Sequence, residues 1–237
     1  MPKGIYLQHN YNNMYILEKL ISKIAPHLCL QCNKEGELIC KDCWPDVVSS
    51  VPSRCYKCFA QTENFKVCKK CIKQTGLRQV RVISTYNDLP KRLIGSMKFE
   101  EKRVGAEIIG KIIDEYLGED ETDTIFTHIP TAPVRIRKRG FDHVQLIVQT
   151  FTKSRGYKHQ TLLNRHGKSR QVGSLRQDRK KQTKGLYSVK NPQQIKGKKI
   201  VIVDDVLTTG ATIEEVAKIL KRAGAKKVNG IIFAQSI

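Results

Sequence analysis

The hydrophobic positions of this 237-residue chain change period along its length. Between residues 14 and 25, Leu17, Leu20, Ile21 and Ile24 recur at three- and four-residue spacing and the pattern stops at Pro26, which predicts one short amphipathic helix. Its apolar stripe is read as core rather than membrane-binding, because the segment is short and poor in flanking basic residues. After Gly76 short β-branched runs alternate with amphipathic stretches. Strands are predicted near Val80 to Tyr86, Thr124 to Ile129, Gln160 to Leu163, Lys199 to Asp204 and Lys227 to Ala234. Helices are predicted near Pro90 to Met97, Lys102 to Leu117, Asp142 to Lys153 and Thr212 to Arg222, the last stopped by Gly224. The run Ile200-Val201-Ile202-Val203 lacks the polar alternation of a half-exposed strand and reads as buried on both faces. Strand and helix alternate, so the fold class is α/β, a parallel sheet with flanking helices.

Between these patterns lies a segment of different composition. All eight cysteines fall between Cys29 and Cys71, which sets a boundary between residues 1–76, holding the N-terminal helix and a cysteine module, and residues 77–237, holding the α/β domain. The spacing is Cys29-x-x-Cys32, Cys40-x-x-Cys43, Cys55-x-x-Cys58 and Cys68-x-x-Cys71. A two-residue spacer lets both thiolates of a turn face one ion, and two such turns complete a tetrahedral four-sulfur site. Zinc is favoured over disulfides for a cytoplasmic chain with paired knuckles, and over iron–sulfur ligation because the pairs repeat so regularly. Two structural Zn²⁺ sites are expected, in a small N-terminal zinc-ribbon module too poor in apolar residues to fold without metal. Sequential pairing is the default; interleaved pairing and partial occupancy stay open.

Charge adds a partner class. Lys and Arg number 43 against 22 Asp and Glu, a formal net charge of +21, which points to a polyanion such as nucleic acid or phosphate. No run of about 18 apolar residues occurs, and Met1 to Ile5 show no leader pattern, so no membrane insertion and a cytoplasmic location are expected. The segment Arg165 to Gly185 is rich in Lys and Arg without apolar period, and reads as a basic binding loop.

The sharpest chemistry lies at Val201 to Thr212. A buried strand ends in Asp204 and Asp205, expected just beyond its C-terminal end, and a loop of Val206, Leu207, Thr208, Thr209, Gly210 and Ala211 opens a helix at Thr212. Loop N–H groups and the helix N-terminus can hold a phosphate, with the threonine hydroxyls as further donors. Two carboxylates beside an anion site would repel phosphate on their own, but they accept hydrogen bonds from a cis-diol, so the ligand expected is a ribose 5-phosphate derivative. The Walker spacing is absent.

This segment resembles the phosphoribosyl pyrophosphate (PRPP) motif of type I phosphoribosyltransferases. Together with the four knuckles, Lys98-Phe99, His128-Ile129-Pro130 and Arg139-Gly140-Phe141-Asp142-His143, the chain resembles the ComF family of bacterial competence proteins over residues 14 to 237. The resemblance implies a PRPP-binding, phosphoribosyltransferase-like core acting in DNA uptake during natural transformation, with Mg²⁺ accompanying PRPP. It implies that Asp204 and Asp205 hold the ribose hydroxyls and Val206 to Thr212 the 5-phosphate. Residues 129 to 139 would form the pyrophosphate loop, and residues 165 to 185 the loop that closes over PRPP. Catalysis, if it occurs, would displace pyrophosphate from the anomeric carbon, with Lys98, Arg135, Arg139, Arg165 and Arg179 as counter-charges and no covalent nucleophile. The family usually reads Arg-Gly-Phe-Asn-Gln where this chain has Asp142-His143, and His143 is expected on a helix surface. Thr208 stands where 6-oxopurine transferases carry an Asp, which disfavours hypoxanthine or guanine as acceptor.

Two alternatives accompany this reading: a non-enzymatic single-stranded DNA-binding factor, with Lys66, Lys69, Lys70 and Lys73 beside Tyr56, Phe59 and Phe65 as its grip, and a nucleobase or nucleotide salvage phosphoribosyltransferase. Family analogy adds a competence helicase and a recombination mediator as partners.

Overall fold

The computed structural model describes residues 26–48, 51–100, 102–117, 123–166, 183 and 185–236. The helix expected over residues 14 to 25, most of the 165–185 loop and Arg179 lie outside the described residues. Among them no helix is long and apolar enough to cross a membrane.

Packing divides the chain into two compact units, Met1–Val47 and Val48–Ile237. The first holds a small antiparallel pair, β1 (His27–Leu28) with β2 (Glu35–Gly36), around the first two knuckles. The second holds the remaining knuckles together with the α/β domain. The composition change at 76/77 therefore falls inside the second packing unit, because Cys55, Tyr56, Val67, Cys71 and Leu77 share one apolar core with the sheet.

That sheet is parallel throughout. Its strands are β3 (Val80–Thr85), β4 (Thr124–His128), β5 (Lys158–His159), β8 (Lys199–Leu207) and β9 (Lys227–Gln235), in the order β3-β9-β8-β4-β5. The helices are α1 (Asp88–Phe99), α2 (Arg103–Tyr116), α3 (Pro133–Arg139), α4 (His143–Arg155) and α5 (Ala211–Arg222). Strands β6 (Leu163–Arg165) and β7 (Tyr187–Val189) form a separate antiparallel pair.

Pleating sends successive side chains to opposite faces. Val80, Val82, Ile125, Ile200, Ile202, Val228 and Ile232 line one face, under Ile213, Val216, Ala217 and Leu220 of α5 and under the second cysteine module. Phe126, Val201, Val203, Ile231 and Phe233 belong to the other face, where Phe126 meets Phe151 of α4 edge-on with centroids 5.3 Å apart. Burying each such side chain stabilises the fold by roughly 1.5–3 kcal/mol. Helix α2 lies so close on α4 that a Cβ at Gly110 would come within 2.5 Å of the Thr150 side chain, so only glycine fits there.

The elements depart from expectation at three places. The strand expected over 160–163 is two pieces: Lys158–His159 joins the sheet beside β4, and Leu163 begins the β6–β7 pair. Residues 133–139 form α3 rather than a loop, with Pro133 in its first turn and Gly140 ending it at φ +81°. Finally, β8 runs on to Leu207, because β9 offers partners as far as Gln235.

At the C-terminal end of β4, buried His128 places Nδ1 3.2 Å from His159 Nε2. Burial pushes His128 from 6.5 down to about 4. A histidine whose folded value is depressed contributes its full stability above pH 6.5 and loses it as pH falls toward about 4. The melting temperature of the wild type is therefore expected to drop more steeply across this window than that of His128→Asn; parallel slopes in scanning calorimetry would refute the assignment.

Candidate functional site

Each cysteine cluster is assembled from consecutive knuckles. Cys29, Cys32, Cys40 and Cys43 bring their sulfurs within 4.8 Å of one another, and so do Cys55, Cys58, Cys68 and Cys71. The sequential pairing is thus the one the fold adopts. Sulfur separations of 3.7 Å for Cys32–Cys40 and 3.5 Å for Cys58–Cys68 suit a tetrahedral ion, since a Zn–S bond of about 2.3 Å places sulfurs roughly 3.8 Å apart. The two sites repeat one local geometry. The residue after the second cysteine, Asn33 or Phe59, takes positive φ and donates its N–H to the carbonyl of the first cysteine at 2.9 Å. Burial works against the Cys29 thiolate, but N–H groups of Cys32, Cys40 and Gln31 hold it at about 6. The Cys71 N–H lowers Cys68 to about 7. Each cluster thereby carries one thiol ready to ionise and bind metal. All four positions are protein sulfur, the donor set of a structural rather than a catalytic ion.

The phosphate motif is built from β8, its neighbours and α5. Pairing of β8 with β4 stops at Val203, whereas pairing with β9 continues through Asp204, Val206 and Leu207. Asp204 and Asp205 therefore lie within the strand, not beyond its end, open on the β4 side only. Being adjacent in a pleated strand, they project to opposite faces. The loop closes with Gly210 at φ +75°, after which Glu214 donates its N–H to the Gly210 carbonyl and α5 begins. Thr208 is exposed, Thr209 and Thr212 are half-buried, and the Ala211 N–H reaches Thr209 Oγ1 at 3.4 Å.

Asp205 is buried and surrounded by donors. Lys98, from the last turn of α1, brings Nζ to 2.5 Å from Oδ2, and His143 Nε2 lies 3.0 Å from the same oxygen. Arg139 places NH1 2.5 Å from His143 Nδ1 and donates from NH2 to the Lys98 carbonyl at 3.1 Å. A guanidinium only donates, so Nδ1 is the acceptor and the imidazole proton sits on Nε2, directed at Asp205. The turn that creates this contact is legible residue by residue. Gly140 ends α3; Asp142 then caps α4, accepting from the Val144 and Gln145 N–H groups and from the Thr131 N–H and hydroxyl. Burial alone would raise Asp205, but Lys98 and His143 hold its carboxyl below the usual carboxylate range. Asp204 goes the other way: burial and the Asp205 charge push it well above its ordinary value.

Of the expected counter-charges, Lys98 and Arg139 converge on this network, Lys98 on the carboxylate and Arg139 through His143. Arg135 is exposed on α3. Arg165 bonds the Tyr187 hydroxyl at 2.7 Å and lies 3.4 Å from the Pro130 carbonyl. His143, expected on a helix surface, is buried at the heart of the site: as the first residue of α4 it points back along the helix toward the sheet. The signal that could have placed it was the Asp142 cap preceding it. Among the aromatics offered for base stacking, Tyr56 is buried, while Phe59 and the lysines at 66, 69, 70 and 73 are exposed.

Residues 103–236 match the family model of the phosphoribosyl transferase domain. The chain is 29% identical over 205 residues to the competence protein ComFC of Streptococcus pneumoniae, covering 84% of this chain and 88% of that protein. It is 28% identical over 219 residues to the DNA utilization protein YhgH of Salmonella typhimurium, covering 86% and 95%. Among solved structures it is similar to the glutamine PRPP amidotransferase from B. subtilis complexed with ADP and GMP, at 19% identity and a TM-score of 0.38, over 54% of this chain and a 25% share of that one.

Two outcomes follow from the site. Elemental analysis of protein purified without chelator should return two zinc ions per chain, with Cys32→Ser and Cys58→Ser each losing one; a metal-free wild type would overturn the zinc assignment. Asp204 has a raised folded value, so its ionisation opposes folding above the unfolded value and leaves folding untouched below it. Asp204→Asn should therefore melt higher than wild type at pH 7, the gain shrinking to nothing near pH 4; a gain independent of pH would show that its charge is not responsible.

Proposed function

Because this chain belongs to the phosphoribosyl transferase domain family over residues 103–236, we propose that it binds PRPP at the acidic pair and the 206–212 loop and acts in DNA uptake. The observation that carries the reading is the state of the pair: Asp205 is buried, ionised and fixed by Lys98 and His143 at the mouth of a glycine-capped loop that opens α5. A carboxylate held in this way accepts hydrogen bonds from ribose hydroxyls without having to reorganise, while loop N–H groups and the start of α5 take the 5-phosphate. Asp204, whose ionisation burial and the Asp205 charge oppose, suits a ligand that brings Mg²⁺ on its pyrophosphate. That ion would supply charge neutralisation to a departing pyrophosphate. The chain's own part is placement: Lys98 and Arg139 add positive charge beside the acidic pair, and Arg165 adds it near Pro130. The cellular role is supported by the similarity to ComFC and YhgH, which are described as competence and DNA utilization proteins.

A second reading, single-stranded DNA binding without catalysis in the cytoplasm, is favoured by the +21 charge and by the exposed lysines of the second cysteine module. Calorimetric titration of Mg²⁺-PRPP into wild type and into an Asp204→Ala, Asp205→Ala double variant separates the two. Saturable binding lost in the variant is expected. A folded, zinc-loaded wild type that binds no PRPP, yet binds single strands with affinity falling about 10³-fold between roughly 50 and 200 mM salt, would hand the function to the second reading.

A further inference from the structure

The second cysteine module meets the phosphate loop through two residues that its metal chemistry leaves unused. Between Cys55 and Cys58 stand Tyr56 and Lys57, the spacer of the third knuckle. The Tyr56 ring is packed against Gly210, so closely that a Cβ there would lie 3.3 Å from Tyr56 Cε2. Its hydroxyl lies 3.2 Å from Glu214 Oε1 and 3.0 Å from Thr75 Oγ1, and its carbonyl accepts from Gln235 Nε2 at 3.1 Å. Gln235 is in register with Leu207, where the loop leaves the sheet. Lys57 completes the set with Nζ 2.9 Å from the same Glu214 oxygen, both side chains largely buried. One knuckle thus touches the β9 residue paired with the loop's start, the loop's glycine and the first turn of the helix it opens.

We infer that Tyr56 and Lys57 are positioning residues of the 207–212 loop, and that the metal held by Cys55, Cys58, Cys68 and Cys71 sets the order of that loop. A knuckle keeps its turn only while both sulfurs are held, since modules of this kind are unfolded without their ion. Losing the ion frees Tyr56 from Gly210 and Lys57 from Glu214 together. Glu214 gives Lys57 a second task. A carboxylate one turn into α5 faces the same end of the helix that receives phosphate and would repel it; the Lys57 ammonium offsets that charge. The ordering of the loop stands on these contacts alone, whereas its consequence for anion affinity rests on the phosphate reading above.

Amide hydrogen exchange over the peptide covering residues 205–214 tests the ordering without any ligand. Cys58→Ser and Cys32→Ser each remove one exposed sulfur from a different cluster, so each is the other's control. Exchange across 207–212 should accelerate by about tenfold or more in Cys58→Ser and stay at the wild-type rate in Cys32→Ser. Lys57→Met should accelerate it with zinc still bound, and Lys57→Met combined with Glu214→Gln should restore protection, because the second change removes the charge that Lys57 no longer meets. Unchanged exchange in Cys58→Ser, equal acceleration in both serine variants, or no recovery in the double variant would each overturn the inference. Calorimetry with Mg²⁺-PRPP on the same proteins reads the anion half separately: an ordered loop that binds no PRPP would refute the phosphate reading and leave the coupling standing.

Discussion

A carboxylate inside a folded protein must be met by positive charge or N–H donors, and Asp205 imposes that condition on three helices at once. The end of α1 supplies Lys98, the end of α3 supplies Arg139, and the start of α4 supplies His143. Arg139 holds the Lys98 carbonyl and fixes the proton of His143, and the Gly140 turn brings Arg139 and His143 together. The connection from β4 to α4 looks irregular in outline, yet it is determined closely by one buried charge on β8. Its anchor at the other end is Asp142, which ties the Thr131 backbone and hydroxyl to the first turn of α4.

The opposite face of the sheet carries a four-cysteine cluster instead. There the second cysteine module contributes Cys55, Tyr56, Val67 and Cys71 to the same core as Ile200, Ile202 and Ile213, so the apolar layer on that side includes two of the four sulfurs able to hold an ion. The first module makes its own hairpin and its own cluster within residues 26–47. The two cysteine sites therefore repeat one geometry, and the second shares its core with β8 and α5.

Much of this could be read along the chain. The β-branched run at 200–203 and the apolar period of 212–222 placed the start of β8 and the whole of α5 nearly to the residue, because both are strongly patterned. The eight cysteines announced two four-sulfur sites through spacing, with sequential pairing as the default that the fold then adopted. Three features were hidden for identifiable reasons. Helix α3 is written as Val-Arg-Ile-Arg-Lys-Arg, whose charge disguises a helix that only its Pro133 and Gly140 punctuation betrays. The continuation of β8 past Asp204 depends on the length of β9, a partner distant in sequence. His143 looked exposed because a polar residue at a helix start usually is; what buries it is a carboxylate 62 positions away in sequence.

Departures from local rules gather at one end of β8. Gly210 stands in the left-handed region against a tyrosine ring, Asp204 holds a charge that its surroundings resist, and Glu214 sits buried on one lysine. Elsewhere the sheet obeys its pattern, with apolar side chains filling both faces. A fold that concentrates unfavourable electrostatics at a single strand end must offset them nearby, and the available compensations are the Lys98–His143 network around Asp205 and Lys57 of the third knuckle against Glu214. Asp204 and Asp205 leave the strand toward opposite faces; Lys98 eases the charge of both, whereas His143 bonds Asp205. The acidic pair is thus one motif in sequence but two electrostatic environments in space, and a ligand spanning both would have to satisfy a fixed anion on one face and, on the other, a carboxyl whose charge its surroundings resist.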